Sequence, residues 1–310
     1  MIRSTATRIL LLLVLALAGL MLASLFMLLF IKNSDRAAML AMVTLQDVLV
    51  FIVPAVLAVW IACRKPAHVM GLNVAPSWRA LAMVLMVYVA SVPMLNYTVH
   101  LNEAMKLPES LAWLEQMMRS SEDMAAQVTK NLLESQSVFA MIISVLVVGV
   151  LAGLSEEFFF RGAMLGMWRQ NGVNPHVGVW VVAIVFSAIH LQFYGFVPRM
   201  LIGVWLGYLF VWTRSLWVPV VAHALNNSVV VIAEHFAENK NNTFDLDNLG
   251  VPAAGQFPWL AVASAVATVA LVLLAHKTLC RTTPPPLTEP MMPAEGNPNT
   301  FSIEKEKELD

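Results

Sequence analysis

Charge is what this sequence has least of. Only 13% of its 310 residues are Asp, Glu, Lys or Arg, against about 25% in an ordinary soluble domain. Hydrophobic residues make up 59% of the chain, and the mean hydropathy is +0.71. Together these exclude a water-soluble globular domain and indicate an all-α polytopic membrane protein. Cysteine is scarce too. Cys63 and Cys280 each end an apolar segment beside a basic residue, which excludes a disulfide framework and a sulfur-built metal site. There is no long basic run and the net charge is −1, so no nucleic-acid partner is expected. No short internal repeat is visible.

What is present is a series of long apolar runs. We place membrane spans at about 9–31, 40–62, 80–99, 138–158, 177–193, 199–213, 216–235 and 257–276, a bundle of about eight helices. The runs are about twice as long as a membrane β-strand, so they are helices and not barrel strands. The first apolar run, Ile9 to Ile31, exceeds the roughly 7–15 residues of a signal-peptide core, so we expect it to remain as a helix. The first three spans and the last read as plain hydrophobic segments. The fourth is expected to continue as helix toward Trp168.

Loop charge sets an expected orientation. Arg3 and Arg8 precede the first span, Arg64, Lys65 and Arg79 follow the second, Arg169 follows the fourth, Arg214 the sixth, and Lys277 and Arg281 the last. The alternate connections are richer in acid. Basic connections stay in the cytoplasm, so both the N- and C-termini are expected there. The short connection near Arg199 alone breaks the pattern. We expect one transmembrane domain over 1–281, with an extracytoplasmic loop at about 101–137. The loop carries Leu111, Leu114, Met118, Ala125, Val128 and Leu132 at helical spacings, which fits an amphipathic helix or helix pair on the outer surface or an ordered loop. The segment 282–310, beginning with the run Pro284–Pro286, is expected to be a disordered cytoplasmic tail.

Polar groups within the apolar runs are the chemical signal, because an ionisable residue in lipid is costly and marks a functional site by default. Glu156 and Glu157 are adjacent, and Arg161 lies one turn after Glu157. Neighbouring helical residues are about 100° apart, so one carboxylate can pair with Arg161 while the other faces a cavity as a general base. A structural ion pair near a helix end is the competing explanation. His190 follows Phe186 by one turn, and is either a site residue or a hydrogen-bonded packing residue. His223 and Asn227 share a face and offer two donors suited to an oxyanion, or to bridging helices. Glu156 is 13 residues from Arg169, His190 14 from His176, and His223 nine from Arg214. At about 1.5 Å per residue, all three sit at comparable depth. They can meet in one wet cavity where a carboxylate, a water and two donors would hydrolyse a peptide bond.

The ordered set Glu156-Glu157-x-x-x-Arg161, Phe186-x-x-x-His190 and His223-x-x-x-Asn227 resembles the CPBP family, the CAAX-protease and bacteriocin-processing intramembrane proteases, which include the type II CAAX prenyl endopeptidases. The motifs cover about 145–235, and the resemblance implies a catalytic core at about 138–235. The resemblance implies an intramembrane endopeptidase with catalytic residues Glu156, Glu157, Arg161, His190, His223 and Asn227. Glu156 would activate water, Glu157 and Arg161 would orient the site, and His190 would position water or bind a metal. His223 and Asn227 would hold the oxyanion. Two histidines and a carboxylate suffice for one divalent ion such as zinc with an open position, but no HExxH is present, so the metal is left open. The implied partners are a hydrophobic or membrane-anchored peptide or protein and membrane lipids. The implied location is a bacterial plasma (inner) membrane. A non-catalytic scaffold, immunity or chaperone-like protein, or a proton-coupled transporter, are the alternatives.

Overall fold

A helix apolar on every side must face lipid on one flank and protein on another. The first helix, α1 (Thr5–Phe30), does so. Leu10, Met21 and Leu28 are exposed, while Leu12, Gly19 and Ala23 are buried. A Cβ on Gly19 would lie 1.8 Å from the Leu49 carbonyl oxygen, so only glycine permits this contact with the next helix. The computed structural model describes residues 4–30, 35–133, 137–172, 174–238 and 248–282. The expected tail at 282–310 lies almost wholly outside the described residues.

The second helix, α2 (Arg36–Cys63), starts where the Asp35 side chain accepts the Ala38 N–H at 2.8 Å. Pro54 lacks an N–H and cannot close the preceding α-turn. Asp47–Ile52 just before it adopts the wider π geometry, a deformation common at functional sites. Pro93 breaks α3 (Trp78–Glu103) differently. There, Ser264 accepts the Met94 N–H at 3.1 Å and donates to the Ala90 carbonyl, bonding the neighbouring helix to the turn around Pro93.

The expected outer segment carries α4 (Ala112–Leu133), entered through a short 3-10 turn at Glu109–Leu111. Its Leu114 and Met118 are half-buried and Leu132 is buried, while Trp113, Met117, Met124 and Val128 are exposed. α5 (Val138–Gln170) is the long helix expected through the carboxylates. It carries two π segments, Val145–Leu151 and Phe158–Leu165, on either side of Ala152–Glu157. α6 (Pro175–Ala188), α7 (Phe196–Thr213), α8 (Trp217–Glu238) and α9 (Trp259–Thr282) complete the bundle. α9 lies along α3, α6 along α7, and α8 along the middle of α5.

Seven of these helices are long and apolar enough to cross a membrane. The expected fifth span, 177–193, is instead the 14-residue α6. At about 1.5 Å per residue it is some 21 Å long, short of a hydrocarbon core of about 30 Å. It stops because Leu191 takes a left-handed backbone, with φ 54°. His190 therefore stands in the turn beyond the helix, not deep within it as its position in the apolar run implied.

Candidate functional site

The packing of α8 on α5 builds the site. A Cβ on Gly153 would lie 3.0 Å from the Ala224 nitrogen, and one on Gly149 would lie 2.4 Å from the Ser228 hydroxyl. The two backbones therefore approach closely, as small residues in membrane helices allow. That approach sets His223 against the carboxylates. Its Nδ1 lies 2.8 Å from Glu157 Oε1, and its Nε2 lies 3.6 Å from Glu156 Oε2. One imidazole thus stands between two adjacent carboxylates.

The two carboxylates differ as their helical phase requires. Glu157 is fully buried, and its Oε1 also accepts from Arg161 Nη1 at 2.5 Å. Arg161 Nη2 donates to the Gly203 carbonyl of α7 at 2.9 Å, and its guanidinium carbon lies 4.8 Å from the centroid of the Phe186 ring. A fully buried arginine is tolerable only when paired in this way. The Glu156 side chain is 17% exposed and has no ion pair other than the long approach to His223 among the described residues. It is the carboxylate left free to act on something else.

Phe186 links the histidines. Its ring meets His190 edge-on at 5.2 Å and His223 at 5.8 Å. His190 Nδ1 bonds the Phe186 carbonyl at 2.8 Å, satisfying one of the orphan acceptors at the end of α6. The turn beyond is clamped from outside: Asn102 donates to the Tyr194 carbonyl at 3.0 Å, the Tyr194 N–H approaches Glu122 at 3.4 Å, and Arg119 stacks on the Tyr194 ring at 4.8 Å. Asn227 is less engaged than its spacing implied. Its amide reaches the Val148 carbonyl at 3.5 Å and accepts from Asn226 at 3.2 Å. The structure thus joins Glu156, Glu157, Arg161 and His223 directly, places His190 beside them through Phe186, and sets Asn227 one turn further along α8.

Two residues were not legible as site residues. Asp47 was read as part of a plain apolar span, yet it is buried beside the carboxylates, with its Oδ1 2.9 Å from Ser155 Oγ. The missed signal was simply an acid inside a span. Arg199 is the charge that broke the alternation of basic loops. It bonds Gln192 at 2.6 Å and lies within electrostatic reach of Glu156 and Glu122. Its charge therefore belongs to the surroundings of the site.

Residues 138–229 match the model of the Rce1-like family, type II CAAX prenyl endopeptidases. That stretch contains all six expected site residues and excludes Asp47. A Bacillus subtilis (strain 168) protein called "Uncharacterized protein YpbD" is 26% identical over 100 residues, which is 31% of this chain and 48% of that protein. The chain therefore spans about half the length of this curated relative. No solved structure matches the chain.

Proposed function

We propose that this protein is an intramembrane endopeptidase that cleaves a hydrophobic or membrane-anchored peptide or protein. The buried Glu156–His223–Glu157–Arg161 set carries this reading, and the Rce1-like match over 138–229 supports it. Glu156 takes a proton from water, and the water oxygen attacks the scissile carbonyl carbon. The carbonyl oxygen becomes an oxyanion. The C–N bond then breaks, and the proton held by Glu156 passes to the leaving amine. Glu157, fixed by Arg161, holds His223 by Nδ1. A doubly protonated His223 can then direct Nε2–H toward the developing charge, with Asn227 one turn away as second donor. His190 orients the water.

Among the described residues, no three His, Cys, Asp or Glu already stand in metal-holding geometry. Glu156, His190 and His223 are the donors a zinc ion would call on. Each imidazole keeps Nε2 for such a role, with Nδ1 facing Phe186 or Glu157.

The long apolar helices make this an integral membrane protein. We place both termini in the cytoplasm of a bacterial inner membrane, with α6 and its turn serving as the short crossing of an eight-segment bundle.

The test is cleavage of a membrane-anchored reporter peptide by the purified protein in lipid. Glu156→Gln should lower kcat by about 10²–10⁴-fold, the usual worth of a general base. Equal cleavage by this variant, or binding of uncut reporter by the wild type, would replace the protease with a scaffold. A chelator arm, followed by zinc addition, decides the metal.

A further inference from the structure

The catalytic set lies in the segment that matches the Rce1-like family, whereas Asp47 lies outside it, on α2. Asp47 opens the π segment of α2 and meets the residue immediately before Glu156. Ser155 Oγ lies 2.9 Å from Asp47 Oδ1 and also 2.9 Å from the Ala152 carbonyl oxygen. A hydroxyl has one proton to give and two lone pairs to receive. Serine in a helix commonly gives its proton to a carbonyl one turn back. With the Ser155 proton so placed, a lone pair faces Asp47, and a second lone pair there would repel it. Both contacts are satisfied when the proton between Asp47 and Ser155 belongs to Asp47.

Burial argues in the same direction. Asp47 is 5% exposed, and its Oδ2 has no partner among the described residues. A carboxylate with one oxygen unpaired away from water is far costlier than a neutral acid in the same place. The surrounding charge adds to this. The groups facing Asp47 from α5 are Ser155 and Glu156, and Glu156 interacts with it as a like charge. The buried guanidinium of Arg161 is already committed to Glu157 and to the Gly203 carbonyl.

We propose that Asp47 is a neutral carboxylic acid that donates to Ser155 Oγ, and that this α2–α5 bond is a positioning device for Glu156. The bond pins the residue next to the base against the wide turn of α2. It thereby fixes where the Glu156 carboxylate points without adding a second negative charge beside it. Asp47 touches no reacting atom in this scheme. The positioning role rests on the proposed peptidase reading, whereas the protonation state does not.

Two measurements on the full-length protein in lipid test it. In infrared difference spectra between wild type and Asp47→Asn, a carbonyl stretch of a protonated carboxyl should be present in wild type, absent in the variant, and shifted in Ser155→Ala. Absence of that band at neutral pH overturns the proposal, whether or not the protein cleaves peptides. In the reporter assay, Asp47→Leu should lower kcat about tenfold or more with KM unchanged. Asp47→Asn should restore most of the rate, because its amide N–H can donate to Ser155 as the acid does. Wild-type kcat in Asp47→Leu overturns the positioning role, as does equal loss in Asn and Leu variants that both retain the wild-type unfolding midpoint. A wild-type protein that cleaves nothing while showing the band would sink the peptidase reading and leave the protonation intact.

Discussion

Two helices of this bundle are broken by proline, and the breaks are handled in opposite ways. On the α3–α9 side, Ser264 accepts the Met94 N–H beside Pro93 and donates to the Ala90 carbonyl. That break is closed with a neutral hydroxyl. On the α2–α5–α8 side, the wide turn before Pro54 opens with an acid. Asp47 Oδ2, Glu157 Oε2 and Arg161 Nε are all buried without partners among the described residues. Unpaired polar groups in a low-dielectric interior are costly, and a protein that spends a serine to close one break has the means to close another. The α3–α9 side also leaves Thr268 Oγ1 buried without a partner among the described residues, so the difference lies in kind: a neutral hydroxyl there, ionisable groups here. Ionisable groups are the costlier ones to leave unpaired in a low-dielectric interior, so the site side carries the larger unmet demand.

The largest effect should come from the site side. Arg161→Met strips the counter-charge from a fully buried Glu157. Breaking such a pair costs about 3–5 kcal/mol, because the surviving charge is stranded. Unfolding in detergent by graded denaturant should show a loss of that order, along with loss of cleavage. Adding Glu157→Gln to Arg161→Met should return much of the stability, since the stranded charge is gone, while cleavage stays lost. If the double variant is no more stable than the single one, the coupling is not electrostatic.

On the closed side, Ser264→Ala should cost about 1 kcal/mol, the usual scale of a polar contact between membrane helices. Cleavage measured well below the unfolding midpoint should be unchanged. A fall in kcat with an intact fold would mean that the α3–α9 seam also belongs to the working part of the molecule, and the contrast would fail.

The expected spans and the carboxylate–arginine–histidine set follow from residue type and spacing because both are local properties. A run of about 20 apolar residues spans a membrane wherever it occurs. A pair at i and i+4 shares a face even where the helix widens, as Glu157 and Arg161 do at the start of Phe158–Leu165. What could not be seen was long-range or conformational. Asp47 reaches Ser155 across 108 positions of sequence, and nothing near Asp47 announces that partner. The end of α6 depends on Leu191 accepting a left-handed backbone, which its side chain does not advertise. Asn227 matched its motif by spacing, yet its amide turns to Val148. Spacing fixes a face of a helix but not the rotamer that uses it.

That left-handed leucine gives a smaller test on the site side. Glycine occupies φ 54° without the side-chain clash, so Leu191→Gly should raise the unfolding midpoint slightly, by less than about 1 kcal/mol of stability. Cleavage should fall severalfold, because the turn that carries His190 loses its stiffness. A faster enzyme would mean that His190 must move to work.

The smallest effect belongs to α4, where the charges are exposed and water screens them. Glu115 on α4 accepts from Arg119 at 2.8 Å and from the Leu107 N–H at 2.9 Å. These hydrogen bonds, that of Arg119 first, hold its carboxyl below the ordinary carboxylate range. A carboxylate shifted downward in the folded state stabilises above its unfolded pKa and loses that contribution as pH falls through the folded one. Hydrogen exchange at the start of α4 should therefore quicken at acid pH in the wild type, beyond the intrinsic pH dependence of exchange. It should lose that additional response in Glu115→Gln, while the midpoint of the whole bundle hardly moves, because an exposed pair contributes little. A bundle that unfolds in step with α4 would mean that the surface helix, through its grip on Tyr194, supports the buried site more than its exposure implies.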